Sequence, residues 1–258
     1  MKHLIEADPW EVLRNFTPAR IALGRAGNSL PTEALLDFGL AHAQARDAVH
    51  VSLEVPAILQ QLAAAWFESM VVHSAAASRN EYLRRPDLGR RLNEVTRAQL
   101  RAHAAADVRP QLVFVIADGL SAMAAARHAV PLLQAVRARL TDWVIGPMVV
   151  AVQARVALGD EIGELLGAEA VVMLIGERPG LSAPDSLGVY LTYAPRIGRI
   201  DAERNCISNI RPEGLGYEQA AHRLAFLLNG ARRLSRSGVM LKDDADQAQL
   251  RHPETERL

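Results

Sequence analysis

The hydrophobic pattern divides the chain into a helical first part and a second part in which short apolar runs alternate with helices. After Pro31, the apolar residues Leu36, Leu40 and Ala43 recur at the spacing of one helix face. Proline suits the first turn of a helix because its missing N–H would be unpaired there anyway. The pattern therefore predicts a helix with one apolar face directly after Pro31.

Two more helices are predicted before residue 109. Ser78 and Glu81 have the spacing of a capping box, which predicts the start of a helix at Ser78. Upstream of it, a second helical run carries five apolar residues, Ile58, Leu62, Ala65, Trp66 and Met70. We therefore expect a helical N-terminal region over residues 1-108.

From Gln111 onward the pattern is typical of strands that alternate with helices. Strands are predicted at 112–117, 148–153, 170–175, 189–193 and 206–210, and helices at 121–140, 160–166 and 217–234. This alternation predicts an α/β domain over residues 109-241, with a Rossmann-like, mostly parallel sheet and helices on both faces. Such sheets bind ligands beyond the carboxyl ends of their strands. Residues 242-258 are polar and aperiodic, and we expect a frayed tail there.

Composition narrows the class of protein. The chain has 29 basic and 29 acidic residues, so no net field attracts it to nucleic acid or anionic lipid. Its single cysteine, Cys206, cannot form an internal disulfide, and residues 1–6 lack the apolar core of a secretion signal. The longest apolar stretch, 143–152, is far shorter than the ~20 residues that span a bilayer. A cytoplasmic protein is expected.

The residues offer no recognisable catalytic or metal-binding set. The glycine clusters lack the G-x-G-x-x-G and P-loop spacings that hold dinucleotides or triphosphates. The histidines show no H-E-x-x-H or comparable zinc-ligand spacing. We therefore predict no catalytic residue and no metal ligand on this chain.

Four compact motifs follow one another between residues 150 and 229. They are QARVALGD at 153–160, GERPG at 176–180, DSLG at 185–188 and NCISNIRPEG at 205–214. Together with residues 16–27, 45–50, 82–90 and 116–122, they resemble the small subunit of ethanolamine ammonia-lyase. Each motif alone is weak, but in this order they are specific and span nearly the whole chain.

The resemblance implies a cofactor, a partner and an activity. In that family the small subunit completes the adenosylcobalamin (vitamin B12) site of a large catalytic subunit, in a hetero-oligomer of large–small pairs. The complex converts ethanolamine to acetaldehyde and ammonia, and in many bacteria it works inside a microcompartment. The chain lacks the D-x-H-x-x-G element that replaces the lower base of cobalt by histidine; Asp47 and His50 have the wrong spacing. The resemblance therefore implies base-on cobalamin.

Glu177 is the first of three residues that the resemblance places at the cofactor. It directly follows a predicted strand, so its carboxylate should emerge at the ligand-binding edge and accept hydrogen bonds from amide or ribose groups. Without the resemblance, pairing with Arg178 or capping of the turn between Gly176 and Gly180 would be the simpler interpretation.

Val156 and Cys206 are the other two. Val156 alone would be taken as a core residue, but its motif implies an apolar contact to the cofactor. Arg155 beside it is expected to form a structural ion pair. Cys206 is expected to be a wall of the cofactor site, with a core position or, least of all, a nucleophile as alternatives.

Three further groups have a plain interpretation that we favour. Ser121 in residues 118–121 is expected to cap a helix, with an anion site as the alternative. His42, Arg46 and His50 fall on successive turns and are expected to lie on a solvated or interface face. A basic group formed by Arg84, Arg85, Arg90 and Arg91 is expected to be solvated, with docking to the large subunit as the alternative.

Two rival functions remain compatible with the residues. One is a stand-alone α/β protein that binds a nucleotide or phosphosugar at Asp118 and Glu177. The other is a purely structural assembly subunit whose apparent site is only an interface.

Overall fold

The computed structural model describes residues 5–104 and 109–245. Within them, one six-stranded sheet has the order β1-β3-β2-β4-β5-β6. The strands are β1 (Ser69–His73), β2 (Leu112–Ala117), β3 (Met148–Val152), β4 (Ala170–Gly176), β5 (Leu187–Tyr193) and β6 (Arg204–Ile210). All five strands predicted from the sequence are therefore confirmed within a few residues.

Helices surround the sheet. They are α1 (Thr32–His50), α2 (Val55–Ala64), α3 (Arg79–Arg84), α4 (Glu94–Ala104), α5 (Ala122–Arg137), α6 (Leu158–Leu166) and α7 (Tyr217–Leu234). As predicted, α3 begins after Ser78, whose hydroxyl accepts the Glu81 N–H at 3.2 Å. The Glu81 carboxylate in turn accepts the Ala77 N–H at 2.8 Å. None of the helices in the described chain is long and apolar enough to cross a membrane.

The sheet is mixed, so the prediction of a mostly parallel sheet is confirmed only in part: three of its five strand pairings are parallel and two are antiparallel. β1, β3, β2 and β4 are parallel to one another, whereas β5 runs antiparallel to both β4 and β6. The connections at 177–186 and 194–203 contain no α-helix. A parallel neighbour needs a crossover of roughly a dozen residues or more, usually with a helix, so these short links reverse the chain instead.

The two faces of the sheet are covered unequally. One apolar core lies beneath α5 and α7 and includes alternate residues of β2 and β4 to β6, among them Phe114, Val189 and Ile207. A second core lies beneath α4 and α6 and includes Val113 and Met173. On this second face Cys206 and Ser208 of β6 are exposed. Helices therefore lie on both faces, as predicted, but one face of the β6 edge stays open.

The second helical run predicted near residue 60 is wrong at its end. Helix α2 ends at Ala64, and Trp66 adopts a left-handed conformation with φ 60°. The chain then enters β1, where Met70 pairs with Val149 of β3. Tertiary pairing with β3 overrides the helical spacing of Met70, so the region expected to be helical also supplies an edge strand. The expected boundary at residue 108 and most of the expected tail lie outside the described residues.

Helix α1 confirms the prediction of a helix after Pro31 but not the direction of its apolar face. Leu36 and Leu40 are 67% and 61% exposed, and only Ala41 and Ala48 are buried. Isolated exposed leucines are ordinary, but an apolar stripe that faces solvent along a whole helix indicates a missing neighbour.

The carboxyl ends of β2 and β4 approach each other backbone to backbone at two glycines. A Cβ atom on Gly119 would lie 2.2 Å from the Gly176 carbonyl oxygen, and one on Gly176 would lie 1.9 Å from the Ser121 carbonyl oxygen. Gly119 also has φ +57°, a conformation that side chains disfavour. These two glycines permit the close backbone contact between the carboxyl ends of β2 and β4.

We therefore expect Gly176→Ala to destabilise the protein by about 2 kcal/mol or more, because the added methyl group must displace the backbone. Gly39→Ala is the matched control, since a Cβ there meets nothing within 4 Å. This control should be neutral or raise stability by about 0.5–1 kcal/mol, as alanine favours helices. Urea denaturation monitored by circular dichroism measures both, and equal midpoints would contradict the close contact.

Candidate functional site

A cleft of about 400 Å³ opens at the carboxyl edge of the sheet. The chain leaves β2 toward β3 and leaves β4 toward β5, so the two strands diverge at the point where α/β sheets bind ligands. The cleft brings together Val156 and Glu177. Its remaining lining residues are Tyr82, Gly119, Leu120, Arg155, Ile175, Gly176, Arg178 and Tyr190.

Glu177, the residue after β4, is held by hydrogen bonds from the residue before β5 and from a residue of β6. Its Oε2 atom accepts hydrogen bonds from the Ser186 hydroxyl and, at 3.3 Å, from the Asn209 N–H. The Glu177 N–H also donates to the Ser186 carbonyl at 3.0 Å. Neither simpler interpretation holds, because the carboxylate neither pairs with Arg178 nor caps the Gly176–Gly180 turn. Glu177 is half-buried, and its carboxylate is oriented by the start of β5 and the end of β6.

The second carboxylate oxygen of Glu177 is left for another partner. A Cβ on Gly188 would lie 2.9 Å from Glu177 Oε1, so the carboxylate rests over the bare backbone of β5. Among the hydrogen bonds of the described residues, none is accepted by Oε1. Gly188 thus explains part of the DSLG motif, since any side chain there would displace the acceptor.

Asp118 is buried and braces the edge. Its two oxygens accept the N–H groups of Gln153 and Ala154 at 2.9 and 3.0 Å, and Arg79 Nη1 lies 3.3 Å from Oδ2. Burial raises the pKa of Asp118, and Arg79 and the two amides oppose that rise. With 1% of its surface exposed, Asp118 is not available to a ligand. Asp118 therefore cannot serve as one of the two residues in the alternative nucleotide or phosphosugar site.

Ser121 is a helix cap, as favoured from the sequence. Its hydroxyl accepts the Ala124 N–H at 3.3 Å and donates to the Pro184 carbonyl at 2.8 Å. The cap therefore also ties the start of α5 to the loop before β5. Both interactions use the hydroxyl within the protein, so the alternative of an anion site receives no support.

Arg155 forms no ion pair with a described residue, which corrects the expectation. Its guanidinium instead stacks on the Tyr82 ring at 4.3 Å, and Arg79 lies over the same ring at 4.8 Å. The Tyr82 hydroxyl donates to the Ala154 carbonyl at 3.1 Å. These contacts hold the loop after β3, so Val156 is placed in the cleft while it also packs against the core beneath α6.

Cys206 stands beside the cleft rather than in its lining. It pairs across the sheet with Tyr190, which does line the cleft. Although the residue is exposed, partial burial of its thiol raises the pKa. Interaction with the Tyr190 hydroxyl lowers the pKa, and the charge of Glu177 raises it further. A thiol with a raised pKa is a poor nucleophile at neutral pH, so the alternative of a nucleophile gains no support, and the wall residue stays a prediction.

The two remaining groups lie at the surface. His42, Arg46 and His50 are exposed on α1. The basic group formed by Arg84, Arg85, Arg90 and Arg91 is also exposed, and Arg85 and Arg91 share Asp87 at 2.7 and 3.8 Å. Both groups are therefore exposed in the isolated chain, which is compatible with a solvated face and with a face that a partner covers.

Sequence reasoning did not find Tyr82, Tyr190 or Gly188 as parts of the site. Tyr82 belongs to a motif at 82–90, but its role depends on contact with a loop about seventy residues away. Tyr190 occupies the second position of a Val-Tyr-Leu-Thr alternation in β5, which indicates a face opposite to that of Val189 and Leu191. Its proximity to Cys206 follows only from the antiparallel pairing.

Fold and site together define an α/β protein with a cleft where two strands diverge and an open strand face beside it. Comparison with known proteins identifies the family. The family described as "Ethanolamine ammonia-lyase light chain (EutC)" matches residues 7–242. A protein of Pseudomonas putida named ethanolamine ammonia-lyase small subunit is 57% identical over 96% of this chain and 92% of its own length.

Two other relatives agree. Proteins of Pseudomonas syringae pv. tomato and Pseudomonas aeruginosa, both named ethanolamine ammonia-lyase small subunit, are 58% and 56% identical. They cover 93% and 95% of this chain, and 84% and 92% of their own lengths. The chain belongs to the family of ethanolamine ammonia-lyase small subunits and is thus a component of a lyase complex.

The charge of Glu177 should be measurable through Cys206, the only cysteine of the chain. Because Glu177 raises the pKa of this thiol, Glu177→Gln should lower it and increase the thiolate fraction. We expect alkylation by iodoacetamide at pH 8 to become about twofold faster or more, with the pH profile shifted to lower pH.

Glu169→Gln is the control for this experiment, because Glu169 lies near Arg232. It should leave the alkylation profile unchanged. Identical profiles for wild type and Glu177→Gln would show that the carboxylate does not face Cys206.

Proposed function

We propose that this chain completes an adenosylcobalamin site at the interface with the large catalytic subunit of ethanolamine ammonia-lyase, and that the complex converts ethanolamine to acetaldehyde and ammonia. The observation that carries the proposal is the convergence of Val156 and Glu177 on one cleft, with Cys206 next to it on the open face of β6. Family membership supplies the reaction and the cofactor class.

The residues present suit the edge of a base-on corrinoid. The free oxygen of Glu177 is a charged acceptor for amide N–H groups on the ring or for ribose hydroxyls. Val156 and the Tyr190 ring offer apolar surface beside it. Arg155 Nε is buried without a hydrogen-bond partner in the described chain, which leaves one donor for a group that enters the cleft.

The size of the cleft favours a shared site. A cavity of about 400 Å³ encloses a drug-sized ligand, whereas a corrinoid is several times larger. This chain can therefore provide one wall, and the rest of the cofactor must lie against another surface. The open face of β6 extends the same wall beyond the cleft.

The exposed apolar residues support a protein partner. Twelve of the twenty-one large hydrophobic residues that are exposed in the described chain lie between Ile5 and Val51. They include Trp10 at 66%, Phe16 at 83% and Leu36 at 67% exposure. Such concentration of apolar surface is typical of a subunit interface. We propose that the large subunit covers it in a hetero-oligomer of large–small pairs.

The mechanistic contribution of this chain is to bind and orient. Adenosylcobalamin, when bound, supplies the radical chemistry of the reaction. Glu177 would hold the rim of the cofactor through its free oxygen, the Val156 loop, tied to Asp118, would lie against it, and Tyr190 and Cys206 would exclude water from the adjoining face. We propose a cytoplasmic location, within a microcompartment in organisms that have one.

The proposed function predicts that the isolated chain has no lyase activity. The described residues that line the cleft include no nucleophile activated by a base, and the proposed substrate site lies on the large subunit. Purified chain incubated with adenosylcobalamin and ethanolamine should therefore release no acetaldehyde, while addition of the large subunit should start turnover. Acetaldehyde formation with the large subunit shown to be absent would refute the assignment.

A second prediction concerns Glu177 in the reconstituted complex. Glu177→Ala should raise the Kd for adenosylcobalamin about tenfold or more, because a hydrogen bond to a charged acceptor contributes roughly 1.5–3 kcal/mol. Glu177→Gln should fall between wild type and alanine, since its carbonyl still accepts but carries no charge. The KM for ethanolamine at saturating cofactor should change little.

Glu218→Ala provides the matched control, because this exposed carboxylate lies on α7 and pairs with Arg139 away from the cleft. Gel filtration should show intact assembly for every variant before titration. Wild-type affinity in Glu177→Ala would remove Glu177 from the cofactor contacts.

A further inference from the structure

We propose that Tyr190 is a further contact to the corrinoid, a hydroxyl donor that complements the acceptor Glu177 on the open face of β5 and β6. This inference rests on the proposed function and deepens it. The ligand group bound by Tyr190 and Glu177 would be a carboxamide, which offers both an N–H donor and a carbonyl acceptor.

The position of Tyr190 links the cleft to the surface around Cys206. Its ring lines the cleft together with Val156 and Glu177, and its backbone pairs with Cys206 across the two strands. Tyr190 is half-buried on the face opposite the core beneath α7. It is therefore the one lining residue that also belongs to the open strand face.

The side chains of Glu177 and Tyr190 have opposite hydrogen-bonding capacity. An ionised carboxylate only accepts, whereas a phenol donates. Burial raises the pKa of Tyr190, and the neighbouring Cys206 and Glu177 raise it further, so the hydroxyl stays protonated at neutral pH. Both side chains line the cleft, and Glu177 Oε1 rests over Gly188, two positions before Tyr190 on the same face of β5.

A carboxamide matches this pair because its N–H donates to Glu177 while its carbonyl oxygen accepts from Tyr190. The rim of a corrin carries such neutral amides, whereas a phosphate or carboxylate would be repelled by Glu177. The tyrosine ring adds apolar contact area beside the donor. The pair thus favours a neutral, amide-bearing ligand over an anionic one.

The test compares two conservative variants of the same strand in the reconstituted complex. Tyr190→Phe removes only the hydroxyl, and Tyr193→Phe is the matched control because Tyr193 packs against the core on the opposite face. Titration with adenosylcobalamin, followed by its visible spectrum, should show a Kd about three- to tenfold higher for Tyr190→Phe. Tyr193→Phe should equal wild type.

A second measurement reports on location independently of affinity. Bound adenosylcobalamin should slow the alkylation of Cys206 in the complex, and at saturating cofactor this protection should persist in Tyr190→Phe. Equal Kd values for the two phenylalanine variants, with Cys206 still protected, would overturn the role of Tyr190 but leave the proposed function standing. A wild-type complex that neither binds the cofactor nor protects Cys206 would overturn the proposed function, and this inference with it.

Discussion

The carboxylate of Asp118 is the interaction on which the carboxyl edge of the sheet depends. It sits at the end of β2 and binds the two backbone N–H groups that follow β3, while Arg79 approaches it from α3. Arg79 also donates to the carbonyl oxygens of Gly119 and Val49, at 2.8 and 2.9 Å. One buried charge thus joins the N-terminal helices, the strand divergence and the loop that carries Val156. A charge this deeply buried is tolerated only because its oxygens are paired.

A second buried ion pair lies at the end of β6 where the open face stops. Arg204 of β6 makes a bidentate contact to Asp160 of α6 at 2.6 and 2.7 Å, and it also donates to Thr192 at 2.8 Å. Loss of one partner from such a pair costs roughly 3–5 kcal/mol, so α6 is held firmly over this end of β5 and β6. Beyond that point, none of the described residues forms a comparable ion pair over Cys206, which is exposed beside the cleft.

Much of the fold was predictable because its apolar runs are long and unambiguous. β2 was predicted with the bounds that the structure shows, and α7 likewise. The direction of β5 was not predicted, although the absence of a helical pattern at 177–186 was the available signal. Met70 was assigned to a helix because spacing alone cannot reveal that β3 offers a pairing edge.

The site was predictable only in part, for a similar reason. Glu177 follows a strand, so its position at the edge could be read from the sequence. The hydrogen-bond partners of Glu177 could not be predicted, because antiparallel strand pairing brings Ser186 and Asn209 close to it. Arg155 was expected in an ion pair, but its guanidinium stacks on the ring of Tyr82, a contact that sequence spacing does not reveal. The family motifs named three site residues. The structure places Val156 and Glu177 in one cleft and Cys206 beside it.

Hydrogen exchange of the reconstituted complex, with and without adenosylcobalamin, tests the central claim most directly. We expect the large subunit alone to slow hydrogen exchange in residues 5–51. Cofactor should add protection in the loop at 153–157, at 177–190 and at 206–209, and leave the opposite edge of the sheet near Gln111 unchanged. Cofactor-dependent protection confined to that opposite edge, with no change at the cleft, would contradict it.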